Sequence, residues 1–257
     1  MRAAGPRYAI CITNYNSGGT IREAMDSVVR QFPPSIVEIL VTDNESTDDS
    51  LPYLRQLLAA GKIQGLRVER SSRGKGRQLA FEMSHAPYIL ANIDMDVVYK
   101  PNILDVVDAY HRAFEGKVLS VYGMMVVPRQ VAESIGGWRD LDRHEDTDLA
   151  VRAFERGVHV VDPSVSVVQA HLKKRQSFMQ RWGEARVGYR DWFRIGMRPR
   201  DLPTSSFIHP SILWAYILYR TCVCYENPMF SRFFREWKAA WNYAGRMSEP
   251  GQTHGRT

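Results

Sequence analysis

The sequence is poor in cysteine, in long apolar runs and in charge of one sign. Its three cysteines, Cys11, Cys222 and Cys224, form no spaced framework. A disulfide-stapled domain is excluded, and a reducing compartment is expected. No stretch approaches the ~20 apolar residues of a spanning helix. The nearest, Ile208 to Val223, is interrupted by His209, Pro210 and Arg220. Met1 to Arg7 is short and polar and runs straight into an apolar strand, unlike a signal peptide. With 34 Lys and Arg against 28 Asp and Glu, the net charge of +6 is too modest to suggest a nucleic-acid partner. The glycine-rich P-loop pattern is missing. Gly74-Lys75-Gly76-Arg77 does not complete a dinucleotide fingerprint, because Leu79 holds the third glycine position and the segment follows the third strand. What remains is a cytoplasmic globular chain with room for one large domain, or one domain and an appendage.

Strands alternate with helices four times. Tyr8 to Ile12 reads as a buried strand, followed by the polar Thr13 to Gly19. Thr20-Ile21-Arg22-Glu23 predicts a capping box, and Ile21, Ala24, Met25, Val28 and Val29 then share one helical face. Ile36 to Val41 is the second strand, and its helix is expected to turn Leu51, Leu54, Leu57 and Leu58 inward. Leu66 to Glu69 is the third. The fourth runs from Tyr88 and ends at Asp94. Further on, Ile103, Val106, Val107, Tyr110 and Phe114 form a buried helical stripe. Strands are expected at Val118 to Tyr122, Met124 to Val127, Val158 to Val161 and Val165 to Val168. This pattern predicts an α/β fold, a mostly parallel sheet with helices on both faces. In such sheets ligands bind beyond the carboxyl ends of the strands. Four polar clusters fall there: Thr13 to Asn16, Asp43-Asn44, Arg73 to Arg77, and Asp94 with Asp96.

Asp94 and Asp96, two apart on an extended segment, are expected to face one target. Like charges that close need a cation, and carboxylate oxygens suit Mg²⁺ or Mn²⁺. His171 is a candidate nitrogen ligand completing that site. Gly74 to Arg77 precedes a helix, so its amides and two cations are candidates to hold an anion. Ile135 to Arg139 predicts a loop with Trp138 at its tip. Glu145 or Asp146, at the start of a short rim helix, is placed to take a proton from a hydroxyl.

Together these stretches resemble a family 2 glycosyltransferase of the GT-A fold, from Tyr8 to about His171. The matching residues are Thr13-Asn14-Tyr15-Asn16, Val41 to Asp48, Gly74 to Gln78, Asn92 to Asp96, Gly136-Gly137-Trp138, and Glu145 to Leu149 with Arg152. The resemblance implies that Thr13, Asn14, Tyr15 and Asp43 hold the nucleobase end of a UDP- or GDP-sugar, with Arg77 nearby. It implies Asp94 near the ribose, Asp96 on the metal, Lys75 or Arg77 against the diphosphate, and Asp146 as the base of an inverting displacement. Thr42, Gln78 and Val97 depart from the family's usual Asp, Asn and Asp; they leave the nucleobase and the sugar open.

The expected domain plan is a catalytic unit over 1–172, a helical extension over 173–245 and a mobile tail over 246–257. Nine Lys or Arg against two acidic residues lie between His171 and Arg200. Phe178, Trp182, Ala185, Tyr189 and Trp192 share a helical face, as do Phe230, Phe233, Phe234, Trp237 and Trp241. Ile212 to Leu218 adds an apolar cluster. Two accounts stand: helices packing on the catalytic unit, or a surface lying on the inner face of an anionic membrane. Gly137, Trp138, Arg181 and Trp182 are the candidate acceptor residues, for a glycan or lipid-linked acceptor. Two rival functions also stand: a haloacid dehalogenase-like phosphohydrolase built on Asp94 to Val97, and a non-catalytic nucleotide-sugar-binding module.

Overall fold

The computed structural model describes residues 7–172, 178–198, 201 and 227–247. The Ile212 to Leu218 cluster, Cys222, Cys224 and the tail from 248 onward lie outside them. The strands are β1 (Tyr8–Asn14), β2 (Val37–Asp43), β3 (Gly65–Val68), β4 (Tyr88–Ala91), β5 (Val97–Tyr99), β6 (Val118–Tyr122), β7 (Met124–Pro128), β8 (His159–Ser166) and β9 (Val168–His171). Seven of them form a sheet in the order β3-β2-β1-β4-β7-β6-β8, and β5 pairs with β9 in a small second sheet. β3, β2, β1 and β4 are parallel, whereas β7 runs antiparallel to both β4 and β6. The α/β architecture is as expected, with one antiparallel strand inside the sheet. The two strands expected around Asp162-Pro163 are one strand, β8. It lies at the sheet edge, where a proline removes no needed ladder bond.

The helices are α1 (Ile21–Val29), α2 (Ser50–Ala59), α3 (Arg73–Met83), α4 (Ile103–Ala113), α5 (Arg129–Ser134), α6 (Glu145–Glu155), α7 (Phe178–Arg194) and α8 (Phe230–Met247). The period of two along each strand separates two cores. Ile10, Ile12, Val41 and Leu90 face Met25 and Val28 of α1 and Val107 and Tyr110 of α4. Ala9, Cys11, Ile89 and Ala91 face Ala80 and Phe81 of α3 and Leu149 of α6. The expected stripes of α1 and α4 are buried. In α2 Leu54 is buried but Leu58 is 39% exposed, because Tyr53 takes the second inward position. The capping box does not form. Thr20 Oγ1 donates back to the Ser17 carbonyl instead, at 3.2 Å.

The second core extends past residue 172. Phe193, Ile195, Met197, Phe230 and Phe233 belong to it, and Tyr189, Trp192 and Phe234 pack against it. Packing on the catalytic unit accounts for part of the stripes: Phe230 and Phe233 are core and Trp241 meets Tyr122 edge-on, whereas Trp237 is 36% exposed. Helix α7 is fixed by Asp191, which is fully buried and accepts from the backbone N–H of both Asp142 and Arg143 at 2.9 Å. Arg190 and Arg194 neutralise it, at 2.8 and 3.3 Å. Among the described residues no helix is long and apolar enough to cross a membrane.

Candidate active site

The parallel register places Asn14 beside Asp43 at the carboxyl ends of β1 and β2. A cleft of about 740 Å³ opens over these ends, lined by Thr13, Asn14, Tyr15, Asn44, Asp94 and Asp96 among others. Tyr15 is 63% exposed, an aromatic face free to meet a flat ring. Asp43 is not on the cleft surface. It is fully buried, and its two oxygens accept from Asn14 Nδ2 at 2.6 Å, Ser46 Oγ at 2.8 Å and Ser46 N at 2.8 Å. It therefore braces the loop rather than presenting a free carboxylate, and Asn44 is the neighbour that reaches the cleft.

Four acidic and basic groups expected to act separately form one cluster. Arg77, buried in α3, donates from Nη2 to Asp94 at 2.6 Å and from Nε to Glu145 at 3.0 Å, and its Nη2 lies 3.3 Å from Asp146. Asp146 also accepts from Trp138 Nε1 at 3.0 Å. The Asn92 amide nitrogen, in the orientation that satisfies both groups, sits 2.8 Å from each Asp146 oxygen. Asn92 reaches it because the backbone there turns left-handed, with φ +66. Burial raises the Glu145 pKa, helped by the charge of Asp146 and opposed by Arg77. Burial likewise raises that of Asp146, against the pull of Arg77 and with a further push from Asp94. The Glu145 side chain is 3% exposed and that of Asp146 17%, so Asp146 is the more accessible of the two, beside the cleft wall formed by Asp94.

Behind this cluster Asp148 and Arg152 hold the glycine loop. Arg152 pairs with Asp148 at 2.7 Å and donates to the carbonyls of Ile135 and Gly137 at 2.5 and 2.7 Å. Trp138 is consequently not an exposed loop tip. It is 4% exposed, packed against Phe81, and its backbone N–H donates to Gln78 Oε1 at 2.9 Å. Gly137 has φ +63, and a Cβ there would meet Gln78 Oε1 at 2.0 Å. Trp138 thus holds Asp146, and neither Gly137 nor Trp138 lines the cleft.

The basic segment also departs from expectation. It lies inside α3, and its first amides are spent within the protein: Gly74 N donates to the Leu141 carbonyl at 2.8 Å and Lys75 N to Ser72 Oγ at 3.1 Å. They hold no anion. Lys75 pairs with Glu69 at 3.1 Å. The glycines serve close approach instead: a Cβ on Gly74 would meet the Arg139 carbonyl oxygen at 2.0 Å, and one on Gly76 the Thr13 hydroxyl at 2.4 Å.

Asp94 and Asp96 do not share one face of a strand. β4 stops at Ala91, and Tyr99 holds the loop beyond it, accepting from Asp94 N at 2.8 Å and donating to the Asn92 carbonyl at 3.2 Å. Asp94 turns to Arg77. Asp96 stays in the cleft, its pKa raised by desolvation and then by the Asp94 charge. The β5–β9 pairing brings His171 opposite Val97, next to Asp96, and Leu172 N donates to the Asp96 carbonyl at 2.7 Å. His171 Nε2 lies 3.2 Å from the Tyr122 hydroxyl. Among the described residues no three His, Cys, Asp or Glu side chains converge on a metal position. One carboxylate just ahead of β5 and one imidazole at the end of its partner β9 fit a divalent ion that takes its other ligands from phosphate and water.

Of the acceptor candidates on α7, Arg181 lines a second cavity of about 340 Å³ with Arg143, His144, Glu184, Tyr189 and Trp192. Trp182 lines neither cavity. The two cavities share Arg143 and Glu184, paired at 2.6 Å. His144, which the sequence reading left out, opens α6 with φ +62 and stacks on Trp192 at 3.9 Å; burial lowers its pKa to about 4. Arg73, Asn92, Tyr99 and Asp191 were also missed as parts of the site. Arg73 and Asn92 sat within motifs already singled out, but nothing in their spacing marked them.

Residues 9–127 match the family model described as Glycosyl transferase family 2. The match spans β1 to β7 and the cleft residues from Thr13 to Asp96; Trp138, Glu145, Asp146 and His171 lie beyond it. A curated relative is the poly(ribitol-phosphate) beta-N-acetylglucosaminyltransferase TarS of Staphylococcus aureus (strain Mu50 / ATCC 700699). It is 25% identical over 111 residues, 41% of this chain and 19% of TarS. The chain thus matches about a fifth of that relative's length. Among solved structures, the mannosyltransferase PcManGT from Pyrobaculum calidifontis, in complex with GDP-Man and Mn²⁺, has a TM-score of 0.60 at 16% identity, covering 94% of this chain and 85% of its own. S. aureus TarS 1-349 in complex with UDP-GlcNAc has a TM-score of 0.59 at 14% identity, covering 93% and 90%. At these identities the likeness shows the fold, which is GT-A.

Proposed function

We propose that the chain transfers a sugar from a nucleoside-diphosphate sugar to an acceptor hydroxyl by a single inverting displacement, in the making of a glycan, glycolipid or polysaccharide. Residues 1–172 supply the donor cleft, and α7 and α8 complete its acceptor side. The observation that carries this reading is the seating of Asp146. Its carboxylate is held by Arg77, Trp138 and Asn92, stays 17% exposed, and has a raised pKa. A carboxylate of that kind is oriented before the acceptor arrives and binds a proton more readily than an ordinary aspartate. Thr13, Tyr15 and Asn44 lie where a nucleoside would rest, and Asp94 and Asp96 where its ribose and diphosphate would follow. Asp96 and His171 are the residues that would hold Mn²⁺ or Mg²⁺. Such an ion, when bound, offsets charge on the departing diphosphate. The Glu145 carboxylate is sealed beneath Asp146 and acts on Arg77. The phosphohydrolase reading needs Asp94 free to attack, whereas it is tied to Arg77 at 2.6 Å.

The test is Asp146→Asn beside Glu145→Gln. Asp146→Asn keeps the shape, so donor affinity stays near wild type while transfer falls by ~10²-fold or more. Near wild-type turnover in Asp146→Asn, or a product that retains the donor's anomeric configuration, refutes the mechanism.

A further inference from the structure

Neither cation that the sequence offered for the diphosphate lines the large cleft: Lys75 lies beside Glu69, and Arg77 is buried among three carboxylates. Two other cations line the large cleft. Arg143 is paired with Glu184 at 2.6 Å. Arg73 forms no ion pair among the described residues. It is the first residue of α3, one position ahead of Gly74, and the close contact of Gly74 with the Arg139 carbonyl fixes where the helix begins.

Resting on the transferase reading, we infer that Arg73 is the side chain that binds the diphosphate of the donor and of the leaving nucleotide. The surroundings support this in two ways. Arg73 shares the cleft wall with Asp94 and Asp96, the side where a metal-bound diphosphate would lie. Ser71 lines the same cleft, and its hydroxyl is buried without a hydrogen-bond partner among the described residues, a donor waiting for an acceptor. The charge on Arg73 is secure. Desolvation works against it, but Glu145, Asp94 and Asp146 outweigh that and raise its pKa. The cleft wall carries Asp94, Asp96, Asp142 and Glu184 against Arg73 and Arg143, so Arg73 is the cation there to offset the charge of a diphosphate. A guanidinium suits two adjacent phosphate oxygens through its paired N–H groups.

The experiment is calorimetric titration, with Mn²⁺ present, of UDP and GDP and of the parent nucleosides uridine and guanosine. Wild type, Arg73→Gln, Arg73→Lys and Lys75→Gln are compared. Losing charge-assisted hydrogen bonds worth ~1.5–3 kcal/mol corresponds to a drop of about 10- to 100-fold. Arg73→Gln is expected to show that loss for the diphosphate and none for the nucleoside. Arg73→Lys should recover part of it, and Lys75→Gln should match wild type. Undiminished diphosphate affinity in Arg73→Gln overturns the assignment, as does an equal loss for diphosphate and nucleoside. Failure of wild type to bind either diphosphate overturns the transferase reading itself, which separates the two failures.

Discussion

Replacing Arg77 by Gln should destabilise the protein, and more at pH 8 than at pH 5. The Arg77 and Glu145 side chains are 1% and 3% exposed, so their 3.0 Å contact has no solvent to replace it. The Asp94 contact, 39% exposed at its acidic end, is screened and adds little. Removing one partner of a buried pair costs ~3–5 kcal/mol because the other charge stays behind. At ~2–4 °C per kcal/mol for a domain this size, Tm should fall by about 6–20 °C. The pH dependence follows from the carboxylates left. Burial already raises the folded pKa of Glu145 and Asp146 above the ordinary 4.5 and 3.8, so the folded state holds more protons than the unfolded chain above those values. Stability therefore declines as pH rises through that window. Arg77 opposes both shifts, so the Gln variant should decline more steeply and to higher pH, recovering as the carboxyls protonate. Urea midpoints measured from pH 5 to pH 8 test this, with Arg77→Lys expected to recover part of the loss. A loss under ~1 kcal/mol, or one that does not vary with pH, refutes the argument that Arg77 is held by buried charge.

Three further outcomes are expected. Asp96→Ala should abolish Mn²⁺-dependent donor binding and His171→Ala should weaken it; calorimetry reads both, and undiminished Mn²⁺ affinity in Asp96→Ala removes Asp96 from the metal site. Gly74→Ala drives a methyl to within 2.0 Å of a backbone carbonyl and should cost ~2–3 kcal/mol, whereas Gly183→Ala in α7 meets nothing within 4 Å and should be neutral or stabilising in thermal melts. With Phe230 and Phe233 committed to the core, the protein should remain in the supernatant of anionic vesicles at physiological salt. Salt-sensitive pelleting that is lost with Arg235→Glu and Lys238→Glu would restore the membrane account.

Local pattern alone determined a good deal here. Alternation of β-branched runs with 3.6-period stripes specified the strands and helices, because each stripe has one face to bury, and α1 and α4 bury the faces their spacing named. The rule that parallel strands collect ligands at their carboxyl ends then located the cleft. Tertiary structure decided how the polar residues divide their partners, since a charge pairs with whatever the fold brings within about 3 Å, whatever its distance in sequence. Arg77 meets Glu145 and Asp146 across nearly seventy positions and becomes a buried counter-charge instead of an anion site. A left-handed turn at Asn92 ends the extended geometry that would have paired Asp94 with Asp96. Gly74 and Gly76 read as part of a candidate anion site ahead of a helix, but α3 lies against a carbonyl and a hydroxyl with no room for a Cβ at either position. The aromatic stripes of α7 and α8 look alike whether they cover a membrane or a protein. Only the position of the second core, reached across the sheet from Ala9 and Cys11, shows that Phe193, Phe230 and Phe233 face the protein.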